Sequence, residues 1–100
     1  MQNQHKKISG YRDLNQQEVD LMNEVKALGP QLEAVINKVT AYVANQRYNC
    51  MNEVNNEVFN LEEYERLKKA NPEKFIALAT DNFQIGLMML TRAVGQQTTF

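Results

Sequence analysis

The chain has 100 residues, with 11 Lys and Arg against 12 Asp and Glu, a net charge of −1 and a pI near 5.8. That is the size of one domain, residues 1–100, and its charge balance excludes polynucleotide binding by bulk attraction, which needs a strong basic excess. The 43% hydrophobic and 23% charged fractions exclude a solvated polyelectrolyte, and no run approaches the roughly 18 apolar residues of a membrane span.

A small anionic ligand needs only one or two well-placed cations, so that class stays open. Residues 1–7 are polar with no apolar stretch behind them, so no secretory signal is expected. Cys50 is the single cysteine; it excludes an intrachain disulfide and suits a reducing compartment, which places the chain in the cytoplasm.

The first segment, 1–14, is locally basic: His5, Lys6, Lys7 and Arg12 surround Ile8, Gly10 and Tyr11. Asn15-Gln16-Gln17-Glu18 then reads as a capping box that opens a helix. Behind it, Leu21, Val25, Leu28, Leu32, Val35, Val39 and Val43 recur at three- and four-residue intervals, an apolar seam that carries the helix to about Gln46. Gly29-Pro30 interrupts the run. Pro30 removes one backbone donor, so a kink is expected there rather than a stop, because the seam keeps register on both sides.

Residues 46–60 are the least periodic and rich in Asn, and are predicted as the turn region. Asn60-Leu61-Glu62-Glu63 repeats the capping pattern and opens a short helix to about Ala70; Asn71-Pro72-Glu73 starts the last helix, to about Val94, with Gly95 as its C-cap. That helix carries two apolar stripes. Phe75, Ala79, Phe83, Leu87, Leu90 and Val94 face the long helix, and Ile76, Ile85, Met88 and Met89 are left without an intramolecular partner.

The fold class is therefore all-α: an antiparallel helical hairpin with a short N-terminal segment and a kinked long helix. Each leftover Ile, Leu or Met contributes about 1.5–3 kcal/mol when buried, so several exposed together make the lone hairpin sticky. Assembly of copies into an oligomeric bundle is expected, with the number of copies left open.

Enzymatic chemistry finds little support. His5 is the only histidine, His5 and Cys50 are too few for a metal site or a dyad, and no HExxH, CxxC, phosphate-loop or dinucleotide fingerprint occurs. No cofactor is expected. Tyr11 and Lys26 are the residues with binding potential, since an aromatic face for a base and a cation for a phosphate form the minimum kit for a nucleotide. The plainer alternative is that Tyr11 packs on the helix start and Lys26 is a solvated flank. Arg92 sits one position off the apolar stripe and needs solvent, a carboxylate or an anion; Gly86, inside a helix, points to close approach of a backbone or ligand.

Gln4-His5-Lys6-Lys7-Ile8-Ser9-Gly10-Tyr11-Arg12-Asp13-Leu14, then Glu18 and Asp20 to Lys26, resembles the start of the phage anti-CBASS cyclic-oligonucleotide sponges, whose helical hairpin is shared with the phage Thoeris-inhibiting sponges. Phe83-Gln84-Ile85-Gly86-Leu87-Met88 with Arg92-Ala93-Val94 resembles a second family motif. The resemblance implies an all-helical hexamer that sequesters bacterial immune messengers intact. It implies cyclic dinucleotides such as 3′,3′-cyclic GMP-AMP between paired protomers, with Tyr11 on a base, Lys26 on a phosphate and Arg12 beside them. It also implies cyclic trinucleotides such as cyclic tri-adenylate where three protomers meet, with Arg92 and Gly86 carried into that site. Two departures stand out. Thr80-Asp81-Asn82 stands where an Arg-Thr-Asp is expected, and the middle, about residues 42–74, looks longer than the family's usual turn and carries no recognised match. A helical protein that docks on a host protein through its Met-rich face is the alternative reading.

Overall fold

The computed structural model describes residues 12–52 and 57–99. It is all-helical apart from a minimal ladder: α1 (Gln16–Cys50), β1 (Met51–Asn52), β2 (Glu57–Val58), α2 (Leu61–Ala70) and α3 (Pro72–Gly95). α1 and α3 form the hairpin, and α2 packs on α1 at the turn end. A radius of gyration of 21.3 Å and extents of 63 × 25 × 20 Å compare with about 13 Å for a compact chain of this length. The rod has little interior.

The start of α1 is dictated locally. Glu18 N–H donates to Asn15 Oδ1 at 2.9 Å, and Asn15 N–H donates back to Glu18 Oε1 at 2.9 Å, so the capping box is complete. The helix passes through Pro30 without a stop and outlasts its expected end at Gln46, running to Cys50. Val43 and Cys50 explain the extension: both are buried, with Leu67 of α2, in the only fully buried apolar cluster among the described residues. Cys50 Sγ lies 3.4 Å from the Arg47 carbonyl. The predicted turn region thus divides into the last turn of α1 and an antiparallel ladder pairing Met51 with Val58 and Asn52 with Glu57.

The seam is rotated from the expected one. Val25, Leu32 and Val43 do face inward, but their companions are Met22, Gly29 and Ile36, while Leu21, Leu28, Val35 and Val39 are exposed. The inward set repeats at intervals of three and four residues, the spacing of a two-helix seam. Gly29 belongs to it because α3 comes close: a Cβ there would lie 3.9 Å from Leu87 Cδ1. On α3, Ile76, Ala79, Leu87 and Val94 are half-buried, whereas Phe75, assigned to the packed stripe, is 60% exposed. Ile85, Met88 and Met89 are exposed, as their spacing predicted.

Two further caps differ in detail. Asn60 Oδ1 accepts from Glu63 N–H at 3.1 Å, but the Glu63 carboxylate turns to Arg66 instead of closing the box. Asn71 makes no side-chain cap and serves through its left-handed backbone (φ 49°), a conformation Asn tolerates. It ends α2 and lets Pro72 begin α3. At the other end Gln96, not Gly95, takes the left-handed position (φ 55°).

An ion pair ties α3 to the far end of α1: both Arg47 Nε and Nη2 donate to Glu73, the latter at 2.7 Å. The Arg47 guanidinium, helped by Glu73's own backbone N–H, lowers the Glu73 carboxyl from 4.5 to about 2. A depressed carboxyl contributes stability that is complete above its unfolded value and is lost as pH falls through the folded one. Both side chains are partly solvated, so the contribution is under about 1 kcal/mol. Glu73→Gln is expected to lower the melting temperature by a few degrees at pH 6 and to converge with the unaltered protein by pH 2 in thermal melts; parallel curves across that window contradict the assignment.

Candidate functional site

At the open end of the hairpin, the first turns of α1 meet the last turns of α3. Arg12 is the junction. Its Nε donates to the Gly95 carbonyl at 2.9 Å and its Nη2 to the Val94 carbonyl at 3.0 Å. Nη1 donates to Glu18 Oε1 at 3.2 Å and Nη2 to Glu18 Oε2. The Val94 and Gly95 carbonyls are among the last four of α3, which have no donor within their own helix, and a cation favours that end of the dipole. Hydrogen bonding to Glu18 raises the Arg12 guanidinium, and the same bond lowers the Glu18 carboxyl, assisted by Asn15. Gly95 is buried because the Gln97 carboxamide folds over it; a Cβ at Gly95 would meet Gln97 Oε1 at 3.2 Å.

Beside this junction a wide-mouthed groove of about 610 Å³ is walled by Leu21, Val25 and Leu28 of α1 and by Leu90, Ala93 and Val94 of α3, with Glu18, Glu24 and Gln96 on its rim. The volume is that of a small-ligand pocket. Its rim carries carboxylates, so it does not by itself favour an anion.

Lys26 is exposed and has no hydrogen bond or ion pair among the described residues. At about 100° per residue, Leu21, Glu24 and Leu28 lie on one flank of the seam and Lys26 on the other. The groove and Lys26 therefore face opposite sides of the hairpin. Gly86 is exposed, with nothing within 4 Å of where a Cβ would stand, so the close approach that its presence suggested is not made within this chain. It shares the groove's flank with Leu90, one turn away. Arg92 donates from Nη2 to the Thr99 carbonyl at 3.3 Å and is otherwise exposed. Tyr11 lies outside the described residues.

One chain thus does not gather Lys26, Arg12, Arg92 and Gly86 into a cluster. Arg12 is reassigned from an available cation to one already engaged with Glu18 and two carbonyls. Sequence spacing could not reveal a contact spanning 83 positions. The groove likewise escapes the pattern, because five of its residues, Leu21, Val25, Leu28, Leu90 and Val94, belong to the predicted helix seams. Among the described residues no cluster of three or more His, Cys, Asp or Glu could hold a metal ion, and no helix is long and apolar enough to cross a membrane.

The Acb2/Tad1 hairpin-domain family model matches residues 5–95. This chain belongs to the Acb2/Tad1 hairpin family. It is also 33% identical to Anti-CBASS protein 2 of Pseudomonas phage JBD67 over 104 residues, covering 96% of this chain and 96% of that protein. The family match runs through the middle, so residues 42–74, where the sequence carries no recognised motif, lie within the matched hairpin domain. The physical reason is in the fold: α1 continues to Cys50 and the two-residue ladder and α2 close the hairpin.

Because the Asn15 side chain caps the first turn of α1 through Oδ1, Asn15→Ala is expected to cost about 1 kcal/mol. That is a drop of roughly 4–8 °C in Tm for a chain of this size. A melting curve superimposable on the unaltered protein's refutes the role of the cap.

Proposed function

We propose that this chain counters the CBASS defence as a sponge. It binds cyclic dinucleotides such as 3′,3′-cyclic GMP-AMP, with cyclic trinucleotides such as cyclic tri-adenylate as further ligands, and holds them uncleaved in the host bacterial cytoplasm. The observation that carries the reading is the family match over residues 5–95, together with similarity to an anti-CBASS protein along nearly the whole chain. In this reading Tyr11 stacks on a base and Lys26 meets a phosphate, Lys26 being an exposed ammonium on α1 with no ion pair among the described residues. Arg92 and Gly86 belong to the trinucleotide site.

The pocket is shared between copies in a homo-oligomer, a hexamer in this reading. Two observations support that. Lys26 stands apart from the groove and from the Arg12 junction within one chain. The groove's flank also continues as exposed apolar surface, with Leu28 and Val35 on α1 and Phe83 and Leu90 on α3. Gly86 lies within that flank, where a helix glycine costs about 1 kcal/mol relative to Ala yet leaves room that this chain does not fill. A second copy's backbone fills it.

Calorimetric titration with 3′,3′-cyclic GMP-AMP tests the ligand. Tyr11→Ala and Lys26→Ala are each expected to weaken binding at least tenfold, the size of one lost stacking or charge-assisted contact, and heating the complex should return the nucleotide unaltered. No binding by the unaltered protein, or a hydrolysed product, defeats the sponge reading.

Sedimentation tests the assembly. Leu28→Glu is expected to yield smaller species. Gly86→Ala should lower the Tm of the assembly although a single chain has space for the methyl group. A well-folded monomer at micromolar concentration overturns the shared pocket and favours the docking-protein alternative.

A further inference from the structure

We infer that Arg12 is a positioning residue: with Glu18 it ties the chain just before α1 to the last turn of α3, next in sequence to Tyr11, and it does not itself touch the messenger. This rests on the sponge reading above and assigns Arg12 a different part in that site.

The argument is one of occupied donors. A guanidinium has five N–H groups, and four of them are engaged: Nε on Gly95 O, one Nη2 hydrogen on Val94 O, the other on Glu18 Oε2, and one Nη1 hydrogen on Glu18 Oε1. A phosphate brought to this guanidinium would face the Glu18 carboxylate and two carbonyl oxygens, all negative. It would also displace a two-pronged charge-assisted pair. The carboxylate is itself held in place, because Glu18 Oε1 accepts from Asn15 N–H and Glu18 N–H donates to Asn15 Oδ1. The latch is thus anchored on both sides, to the first turn of α1 and to the end of α3. Tyr11 directly precedes Arg12 in the sequence, so the latch acts next to the residue that the sponge reading places on the base.

The two roles open to Arg12 predict opposite signs for one substitution. Glu18→Gln keeps an acceptor for the capping box and removes the charge that holds Arg12. If Arg12 contacts phosphate, releasing it strengthens binding; if it positions Tyr11, releasing it weakens binding.

Full-length Arg12→Ala, Arg12→Lys, Glu18→Gln and the Arg12→Ala/Glu18→Gln double variant are titrated with 3′,3′-cyclic GMP-AMP at several salt concentrations, below the melting temperature of each. Each single variant is expected to bind roughly tenfold more weakly, the scale of one charge-assisted interaction. The double variant should be no weaker than Arg12→Ala alone, as for two partners of one pair. Arg12→Lys should fail like Ala, because a point charge cannot bridge Glu18 and both carbonyls. The salt dependence of Kd should stay parallel to the unaltered protein's in Arg12→Ala and flatten in Lys26→Ala. A latch that only stabilises the fold would lower Tm without moving Kd, and that result overturns the inference. So does tighter or unchanged binding by Glu18→Gln. If the unaltered protein does not bind, the sponge reading has failed and the inference falls with it; binding that is intact in Glu18→Gln overturns the inference alone.

Discussion

Two antiparallel helices share a single seam, and everything else in this molecule is arranged around how little that seam can bury. α1 runs for 35 residues, about 52 Å at 1.5 Å per residue, and contacts α3 along one stripe centred on Val25, Gly29, Leu32 and Ile36. Among the described apolar side chains, burial is reached only where a third element arrives, at Val43, Cys50 and Leu67. Along the rest of the rod the seam residues are half-covered. Polar devices at both ends supplement the packing: Arg47 with Glu73 at the turn, and Arg12 with Glu18 and the terminal carbonyls of α3 at the open end. Such a rod keeps its helices in place yet leaves apolar flanks exposed. That is the physical reason to look for function between molecules, not inside one.

Local features were legible in the sequence because their causes are local. The Asn15–Glu18 box, the Asn71-Pro72 break and the passage of α1 through Pro30 each depend on residues within one turn. The seam was only half legible. Leu21 and Leu28 outrank Met22 and Gly29 in any apolar pattern, yet Met22 and Gly29 face α3. Periodicity identifies a stripe but not which of two adjacent stripes meets the partner, and here Gly29 lies on the one that meets Leu87. The exchange of Phe75 for Ile76 on α3 has the same origin: adjacent apolar residues differ by about 100°, and the smaller, β-branched one is turned inward. The candidate site was less legible. Tyr11 and Lys26 could be named from residue type and family resemblance, but the commitment of Arg12 to Val94, Gly95 and Glu18 is a tertiary fact that no local pattern carries.

The division of labour among cations follows from side-chain chemistry. All four arginines of the chain are engaged within it: Arg12 on Glu18, Arg47 on Glu73, Arg66 on Glu63, and Arg92 on the Thr99 carbonyl. Lys26, Lys38, Lys68 and Lys69 have no ion pair among the described residues. A rigid planar fork suits carboxylates and paired carbonyls, whereas an ammonium on a four-carbon stem remains a mobile point charge. A chain with net charge −1 and carboxylates on the rim of its groove can still recognise a phosphodiester, provided an uncommitted cation is brought to it from elsewhere. With Arg12, Arg47 and Arg66 engaged with carboxylates, Lys26 on the far flank is the cation that the proposed sharing between copies brings to such a ligand. In the proposed assembly, near-neutral overall charge is compatible with an anionic ligand, because attraction is confined to the seam between copies and is not spread over a surface that would also draw in longer nucleic acids.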